Sequence, residues 1–358
     1  MTLIPHSHLS EIENYKPGKA KVGGKDKVIK LSSNENALGS SPKAIDAYTD
    51  HIKDVFRYSD GSCSELREAI AKKNKIDAER IVCGAGSDEI LAFLTTAFAG
   101  IGDEVIYSEY GFLMYPISAK RVGANAVKVK EKNLKTDIDA ILAAISNKTK
   151  IIFIANPNNP TGSYLNECEI KKLIEKTPKN ILIILDHAYE EFVMEHDYPN
   201  AIKLVNENSN VVVTRTFSKI YGLASLRLGW CYSSSEIAEI LNKVRGPFNV
   251  SGPAQFAAKA ALEDEEFFQK SIAHNKKWLE IFFTEFAKID KITARPSIAN
   301  FILLDFGDIE TCQKTNQALL EEGIILREMQ AYNLPSCLRM TIGTQEENLH
   351  LLNILKKI

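Results

Sequence analysis

The pattern of apolar and polar positions predicts helices and buried strands that alternate through the first two thirds of the chain. Ser64–Lys75 and Ser87–Ala99 place apolar residues at helical spacing, and Ser or Asp stands near each start. Between helices lie short apolar runs typical of strands buried on both faces: Glu104–Ser108, Lys150–Ala155, Ile181–Leu185, Val211–Thr214 and Leu228–Tyr232. The alternation predicts an α/β fold built on a mostly parallel sheet with helices on both faces.

The pattern changes after Val250. Helical spacing dominates from Ala254 to about Lys288, and strand-like Asn300–Asp305 and Leu338–Ile342 follow, each succeeded by a helical segment. This order is typical of a smaller α+β domain. We therefore predict an N-terminal arm over residues 1–40 that joins the small domain, a large domain over 41–250 and a small domain over 251–358.

Composition and charge limit the class of protein. The chain has 358 residues, of which 45% are hydrophobic and 25% charged, and its net charge is −2. This balance argues against a nucleic-acid binder, which usually carries a basic surplus. The six cysteines are scattered without a CxxC pair, so we expect a reducing compartment and no zinc cluster.

No part of the sequence predicts a membrane partner or a metal site. The first residues contain early acidic side chains and lack the apolar core of a signal peptide, and the longest aliphatic runs are too short to span a bilayer. The seven histidines show no ligand spacing. A soluble cytoplasmic protein without a metal is expected.

Polar clusters follow the predicted strands at the ends where open α/β sheets bind ligands. They are Gly84–Glu89 (GAGSDE), Asn156–Gly162 (NPNNPTG), Asp186–Tyr189 (DHAY) and Thr216–Lys219 (TFSK). Small residues at a helix start expose backbone N–H groups that suit a phosphate, and Thr216, Ser218 and Arg227 would complete such a site.

A phosphate site beside Lys219 suggests pyridoxal phosphate bound through a Schiff base. This cofactor needs a carboxylate at its ring nitrogen, and Asp186 at a buried strand end is the candidate. Its phenolate oxygen needs neutral donors, which Asn159 and Tyr189 provide. Each residue alone has an ordinary structural explanation: Asp186 could cap the end of a strand, and Lys219 could be a surface lysine. The combination and its order are what favour the cofactor.

At this point the chain is seen to resemble the fold-type I, class I and II pyridoxal-phosphate aminotransferases, and among them those that act on histidinol phosphate. The similarity covers nearly the whole chain. The motifs that carry it are YKPGK (Tyr15–Lys19), LSSNENALG (Leu31–Gly39), RYSDG (Arg57–Gly61), AGSDE, EYGF, NPNNPTG, DHAY, TFSKIYGLASLRLGW, ANFILLDF and LRMTIGT. The resemblance implies a large domain with a seven-stranded sheet.

The resemblance also implies a role for each matching residue. Lys219 would be the Schiff-base lysine and proton carrier, Asp186 would pair with the ring nitrogen, and Tyr110 would stack on the ring. The expected phosphate contacts are Ala85, Gly86, Ser87, Thr216, Ser218 and Arg227. Tyr58 would reach the site of a partner subunit, which makes the expected assembly a homodimer.

The substrate side is expected to contain two arginines and the covering arm. Arg339 would bind the carboxylate of glutamate or 2-oxoglutarate, and Arg327 would be a second anion contact suited to a substrate phosphate. Which anionic group of the substrates each arginine binds is left open, and Arg327 could instead be an ordinary salt-bridge partner. Tyr15 and Asn34 would cover the substrate.

The chain departs from the family pattern at three positions. His187 stands where the family usually has Glu, and it is expected to point away from Asp186 because side chains alternate along a strand. Ser59 replaces a usual proline beside Tyr58. Ser225 stands near the phosphate turn where glycine is common.

The implied reaction transfers the amino group of L-histidinol phosphate to 2-oxoglutarate, giving 3-(imidazol-4-yl)-2-oxopropyl phosphate and glutamate in L-histidine biosynthesis. Three alternatives stay open at this stage. They are an aromatic amino acid or prephenate aminotransferase, a threonine-phosphate decarboxylase, and a pyridoxal-phosphate-sensing regulator, which would need an added DNA-binding module.

Overall fold

The computed structural model describes residues 3–15, 18–19, 21, 23 and 28–357. The helices are α1 (Pro42–His51), α2 (Ser64–Asn74), α3 (Ser87–Phe98), α4 (Met114–Arg121), α5 (Ile138–Ala143), α6 (Glu167–Lys176), α7 (Ala201–Glu207), α8 (Ser235–Val244), α9 (Gly252–Glu263), α10 (Glu265–Phe286), α11 (Ile309–Glu321) and α12 (Gln345–Leu355). The strands are β1 (Ile29–Lys30), β2 (Ile81–Gly84), β3 (Glu104–Ser108), β4 (Asn125–Val129), β5 (Thr149–Ala155), β6 (Leu182–Asp186), β7 (Val211–Thr216), β8 (Gly229–Tyr232), β9 (Thr293–Ala294), β10 (Phe301–Asp305), β11 (Ile324–Ile325), β12 (Arg327–Glu328) and β13 (Cys337–Thr341).

A seven-stranded sheet with the order β2-β8-β7-β6-β5-β3-β4 forms the centre of the fold. The pairs from β7 to β4 are parallel, whereas β8 runs antiparallel to both of its neighbours. Strands β6 and β7 are buried along their whole length, as expected where helices cover both faces. The predicted α/β fold with a mostly parallel sheet is confirmed.

The apolar runs located five of the seven strands to within two residues at each end; they did not predict β2 as a strand, and they missed β4. This strand lies at the edge of the sheet, and most of its positions are exposed or only partly buried. An edge strand needs no continuous apolar run, so its sequence gives little signal.

A second hydrophobic core surrounds a smaller sheet of order β12-β13-β10-β9, in which all pairs are antiparallel. This second core includes Trp278, Phe282 and Phe286 from α10. By contrast, Val250 and the buried face of α9 pack in the core of the large sheet, and α9 lies against α1 and α2. The two cores therefore meet within α10, and the domain boundary at residue 250 stays a prediction.

The N-terminal arm contacts both parts of the molecule. Its Ser7–Glu11 turn packs on α4, where Lys120 Nζ donates to the carbonyl of Glu11 at 2.9 Å. Further along, β1 pairs in parallel with β11 of the small part. Within the YKPGK motif, Lys16 and Pro17 lie outside the described residues.

The carboxyl ends of β5, β6 and β7 meet at one edge of the large sheet. Ala155 pairs with Asp186, and Asp186 pairs with Thr214. The loops that follow these ends therefore converge on one place, as they do in other open α/β sheets. In the described part of the chain, no helix is both long enough and apolar enough to cross a bilayer.

Gly229 allows β8 to approach the start of α3, and this contact gives a first prediction. A Cβ at Gly229 would lie 2.4 Å from the backbone nitrogen of Ser87 and 2.8 Å from the carbonyl of Arg215. Backbone atoms cannot yield as a side chain can, so Gly229→Ala should lower the free energy of unfolding by about 2 kcal/mol or more in chemical denaturation. Gly100→Ala is the control, because its Cβ would meet only Asp103 Oδ2 at 3.9 Å. Equal stability of both variants would contradict the prediction.

Candidate active site

The strand ends open into a cavity of about 250 Å³. Its walls come from the first loop, the α3 start, the loops after β3, β5, β6 and β7, and strands β12 and β13. The lining residues are Tyr15, Gly18, Ser32, Ser33, Asn34, Ser87, Asp88, Phe112, Tyr115, Ala155, Pro157, Asn159, Asp186, Ala188, Tyr189, Thr216, Ser218, Lys219, Ala224, Arg227, Arg327, Tyr332 and Arg339.

Lys219 provides an amine that is unusually easy to deprotonate. Its Nζ donates to the carbonyl of Ser33 at 3.3 Å and lies 5.6 Å from the centroid of the Tyr189 ring. Burial disfavours the charged form and, together with the positive charge of Arg339, lowers the Lys219 pKa to about 8. A free amine is a nucleophile, so this side chain is suited to attack a carbonyl near neutral pH.

Asp186 is a buried carboxyl held by two donors. Tyr115 Oη donates to Oδ2 at 2.8 Å, and Thr214 Oγ1 donates to Oδ1 at 3.0 Å. Burial raises the Asp186 pKa, while these two hydrogen bonds favour the ionised form and oppose the shift. The carboxyl is therefore fixed in orientation, and each oxygen retains a lone pair for a further donor in the cavity.

Arg227 and the start of α3 form a cradle for an anion. Arg227 Nη1 donates to Ser218 Oγ at 3.2 Å, and its Nη2 lies 3.3 Å from Asp88 Oδ2. Gly86 has a φ of +86°, and a Cβ there would lie 2.3 Å from Arg227 Nη2. Only glycine permits this approach, which brings the guanidinium to the positive end of the α3 dipole, where anions are favoured.

Arg339 and Asn34 form the wall on the side of the small sheet. Arg339 is 6% exposed, donates from Nη2 to the carbonyl of Ser32 at 3.0 Å, and donates from Nη1 to Asn159 Oδ1. Asn34 Nδ2 donates to Tyr189 Oη at 2.9 Å. The Nε of Arg339 is buried without a hydrogen-bond partner among the described residues. A buried guanidinium with an unused donor favours an anionic ligand.

Most of the residues predicted for the site line this cavity, but two of the predicted phosphate contacts do not. Ala85 and Gly86 lie behind the wall, because the Ala85 amide donates to Glu89 Oε2 at 2.7 Å and the Gly86 amide donates to the carbonyl of Gly84 at 2.8 Å. Their donors are used inside the turn. Ser87 lines the cavity and remains the candidate backbone donor at the α3 start.

Tyr110, which was predicted to stack on the cofactor ring, does not line the cavity, whereas Phe112 does. The Tyr110 amide faces Glu131 Oε1 at 3.3 Å, and its carbonyl faces Asn158 Nδ2 at 3.4 Å. Both aromatic residues belong to the EYGF motif, and the loop after β3 turns the second one inward. Phe112 also meets the Tyr115 ring edge-on, with centroids 5.9 Å apart.

Sequence reasoning also missed Tyr115, Asp88 and Tyr332. Tyr115 sits on the first turn of α4, where its spacing indicates only a buried helical face. Its stacking on Phe153, with centroids 4.6 Å apart, directs the hydroxyl to Asp186. No sequence signal points to Tyr332. The only signal for Asp88 is its place in the AGSDE motif.

Tyr58 does not line the cavity of its own chain. Its side chain is 84% exposed, and its ring stacks on Phe248 with centroids 4.6 Å apart. His187 also lies outside the cavity, as expected from strand alternation; it is fully buried, and its Nδ1 lies 2.8 Å from Glu190 Oε2.

Glu131 lies behind the cavity and joins two of its loops. Its Oε1 accepts from Ser108 Oγ, from the Tyr110 amide at 3.3 Å and from Asn158 Nδ2 at 3.4 Å. Its Oε2 is buried without a partner among the described residues. Burial raises the Glu131 pKa to about 7, against the effect of the Ser108 and Tyr110 hydrogen bonds.

Comparison with known proteins gives the class to which this fold and site belong. The sequence matches the family Aminotransferase class I and II over residues 26–355. The chain is also similar to a crystal structure of histidinol-phosphate aminotransferase from Sinorhizobium meliloti in complex with pyridoxal-5′-phosphate, with a TM-score of 0.87, 25% identity and 92% of each chain covered. The chain belongs to the class I and II aminotransferase family.

Two relatives narrow the resemblance within that family. A histidinol-phosphate aminotransferase from Maricaulis maris is 43% identical over 99% of this chain and 98% of its own length. A protein of the same name from Paramagnetospirillum magneticum is 46% identical with the same coverage.

The hydrogen bond from Tyr115 to Asp186 should make the effect of Tyr115→Phe dependent on pH. The donor favours the ionised carboxyl, so its contribution to stability is present at high pH and is lost as Asp186 becomes protonated. We expect a loss of about 2 kcal/mol in the free energy of unfolding at about pH 8 and a smaller loss at acidic pH, where the carboxyl gains its proton. Tyr232→Phe is the control, because its hydroxyl donates to the neutral amide of Asn206 at 2.9 Å. A loss from Tyr115→Phe that does not change with pH would exclude the proposed charge dependence.

Glu131→Gln should stabilise the protein as the pH rises. Folding raises the Glu131 pKa to about 7, so its contribution to stability is complete below the unfolded pKa and is lost as the pH passes the folded value. Glutamine cannot ionise, so the variant should match wild type at about pH 4, below the unfolded pKa, and exceed it by about 2 kcal/mol at about pH 8. Thermal denaturation across this range tests the difference, with Glu322→Gln on the surface measured in parallel. A difference that stays constant with pH would rule out a raised pKa at Glu131.

Proposed function

We propose that this protein is a pyridoxal-phosphate-dependent aminotransferase that transfers the amino group of L-histidinol phosphate to 2-oxoglutarate. The products would be 3-(imidazol-4-yl)-2-oxopropyl phosphate and glutamate, in L-histidine biosynthesis. The observation that carries the proposal is a single cavity that contains a deprotonatable amine, a buried carboxyl and arginines at both ends. The relatives named histidinol-phosphate aminotransferase, which cover nearly the whole chain, support the choice of substrate.

The residues present fit pyridoxal phosphate. The Arg227 fork, which Gly86 allows to approach the start of α3, is suited to its phosphate. Ser87, Thr216 and Ser218 add donors on the same side. Asp186 lies at the buried end of the cavity, where a carboxylate would retain a proton on a pyridine nitrogen. When bound, the cofactor supplies an electron sink for the negative charge that develops at the substrate Cα.

Lys219 would hold the cofactor covalently and then carry protons. Its lowered pKa leaves a useful fraction of Nζ unprotonated near neutral pH, so Nζ can accept the proton from the substrate Cα. The positive charge of Arg339 helps to maintain this state, since it opposes protonation of Lys219. Phe112, rather than Tyr110, would pack on the ring face, and Asn159 and Tyr189 would donate to the phenolate oxygen.

The two substrate arginines have different surroundings. Arg339 is buried against Asn159 and Ser32, which suits a small carboxylate of fixed position. Arg327 lies on β12 and also faces a second cavity, so it is suited to the bulkier substrate phosphate. Tyr15 and Asn34 would cover the bound substrate.

A homodimer with Tyr58 contributed to the partner's site is part of the proposal. Tyr58 lies on a surface of exposed apolar side chains that includes Val55, Phe56 and Phe248, with exposures of 62%, 74% and 48%. Exposed apolar patches are typical of interaction surfaces. A reducing compartment such as the cytoplasm is supported by the six cysteines, all of which are free thiols.

A spectral titration tests the activity. The visible absorption of the cofactor-loaded protein should bleach with histidinol phosphate and return with 2-oxoglutarate, and Lys219→Ala should lower kcat by about a thousandfold or more because the proton carrier is lost. Lys276→Ala, at an exposed position of α10, is the matched control. Turnover by Lys219→Ala would mean that another residue is the proton carrier. Tyrosine, phenylalanine and threonine phosphate are assayed beside histidinol phosphate, and a lack of turnover with histidinol phosphate would reject the proposed substrate.

A further inference from the structure

A second cavity of about 850 Å³ lies next to the active-site cavity. We call it the vestibule; it is bounded by residues 12–15 of the arm, residues 116–120 of α4 and residues 326–328 around β12. Tyr15 and Arg327 line both cavities. The two spaces therefore adjoin at Arg327, the arginine assigned above to the substrate phosphate.

The vestibule is lined by more cationic than anionic side chains. Lys19 is neutralised by Glu328, with an Nζ to Oε1 distance of 3.1 Å. Lys120 and Lys128 then face a single further carboxylate of the lining, that of Glu13. The Lys120 ammonium donates to the backbone carbonyl of Glu11, and Lys128 lies exposed on β4. In the described part of the chain, neither lysine is paired with a carboxylate.

The remaining wall is largely apolar. Ile12, Ile117 and Leu326 belong to it, together with Leu113 and Pro116. Low-dielectric walls strengthen the field of the cations that they surround, because field lines concentrate in the water-filled space. An anion in the vestibule would therefore be attracted more strongly than an anion at an open surface.

We infer that the vestibule is a cationic entrance site that captures anionic substrates, of the phosphate monoester and dicarboxylate class, before Arg327 and Arg339 bind them. The inference rests on the proposed function for its substrates. Lys120 and Lys128 are specificity-determining residues here rather than catalytic ones, because they face the entrance and not the cavity that contains Lys219 and Asp186. The two lysines act on the capture of substrate, so their substitution changes kcat/KM while kcat stays the same.

The experiment measures kcat/KM for histidinol phosphate and for 2-oxoglutarate with the holoenzyme over a range of salt concentrations. At low salt, Lys128→Gln should lower kcat/KM by about threefold and Lys128→Glu by about tenfold, with kcat unchanged. The differences should vanish at about 0.3 M salt, where the Debye length is only a few ångströms. Lys120→Gln should act in the same direction, but Lys128 gives the cleaner test because it does not bind the arm.

Lys314→Gln is the matched control, since Lys314 lies on α11 with 74% exposure of its side chain and outside both cavities. It should match wild type at every salt concentration. Equal kcat/KM for Lys128→Glu and wild type at low salt, with either substrate, would overturn the inference.

Failure of the proposed function gives a different result from failure of the vestibule inference. If wild type does not use histidinol phosphate, the substrate assignment falls, but the comparison with 2-oxoglutarate still tests the vestibule. Calorimetric titration of the cofactor-loaded protein with 2-oxoglutarate makes the same comparison without turnover. Weaker binding to Lys128→Glu at low salt supports the entrance site, and unchanged binding contradicts it.

Discussion

The parallel pairing of β6 with β7 is the constraint on which the candidate site depends. It places Asp186 opposite Thr214, so the carboxyl at the end of one strand lies beside the loop that carries Lys219. The hydroxyl of Thr214 then becomes one of the two donors to Asp186. A shift by one residue would turn Asp186 to the other face of the sheet, where His187 is now buried against Glu190. The register is held by the continuous apolar faces of both strands, which pack in separate cores on the two sides.

Burial then sets the chemistry of the groups that this pairing brings together. Removal of water lowers the Lys219 pKa and raises the pKa of Asp186, since each charged form loses hydration. The hydrogen bonds from Tyr115 and Thr214 oppose this effect at Asp186, whereas the charge of Arg339 adds to it at Lys219. The same site thus favours an amine without its proton, while the two hydrogen bonds limit the penalty that burial places on the ionised form of Asp186.

The supporting residues lie on loops, and the fold holds those loops from behind. Glu131 connects the loop after β3 with the NPNNPTG loop through the Tyr110 amide and Asn158. Gly229 permits β8 to approach the start of α3, and Gly86 permits Arg227 to do so. The small domain closes the opposite wall through Arg339, whose buried position depends on the pairing of β13 with β10 and β12.

The sequence by itself determined most of the central strands, the alternation of strands with helices, the sheet type, and the candidates Lys219, Asp186 and Arg227. These follow from local patterns, because buried strands have apolar runs and the ends of parallel strands must meet. Only the tertiary structure showed that Phe112 lines the cavity while Tyr110, Ala85 and Gly86 do not, and only it revealed the contact of Tyr115 with Asp186. It also showed that the buried face of α9 packs in the core of the large sheet. Each of these depends on the direction of a side chain or helix, which is set by contacts with residues distant in sequence, and such contacts leave no periodic signal in the chain.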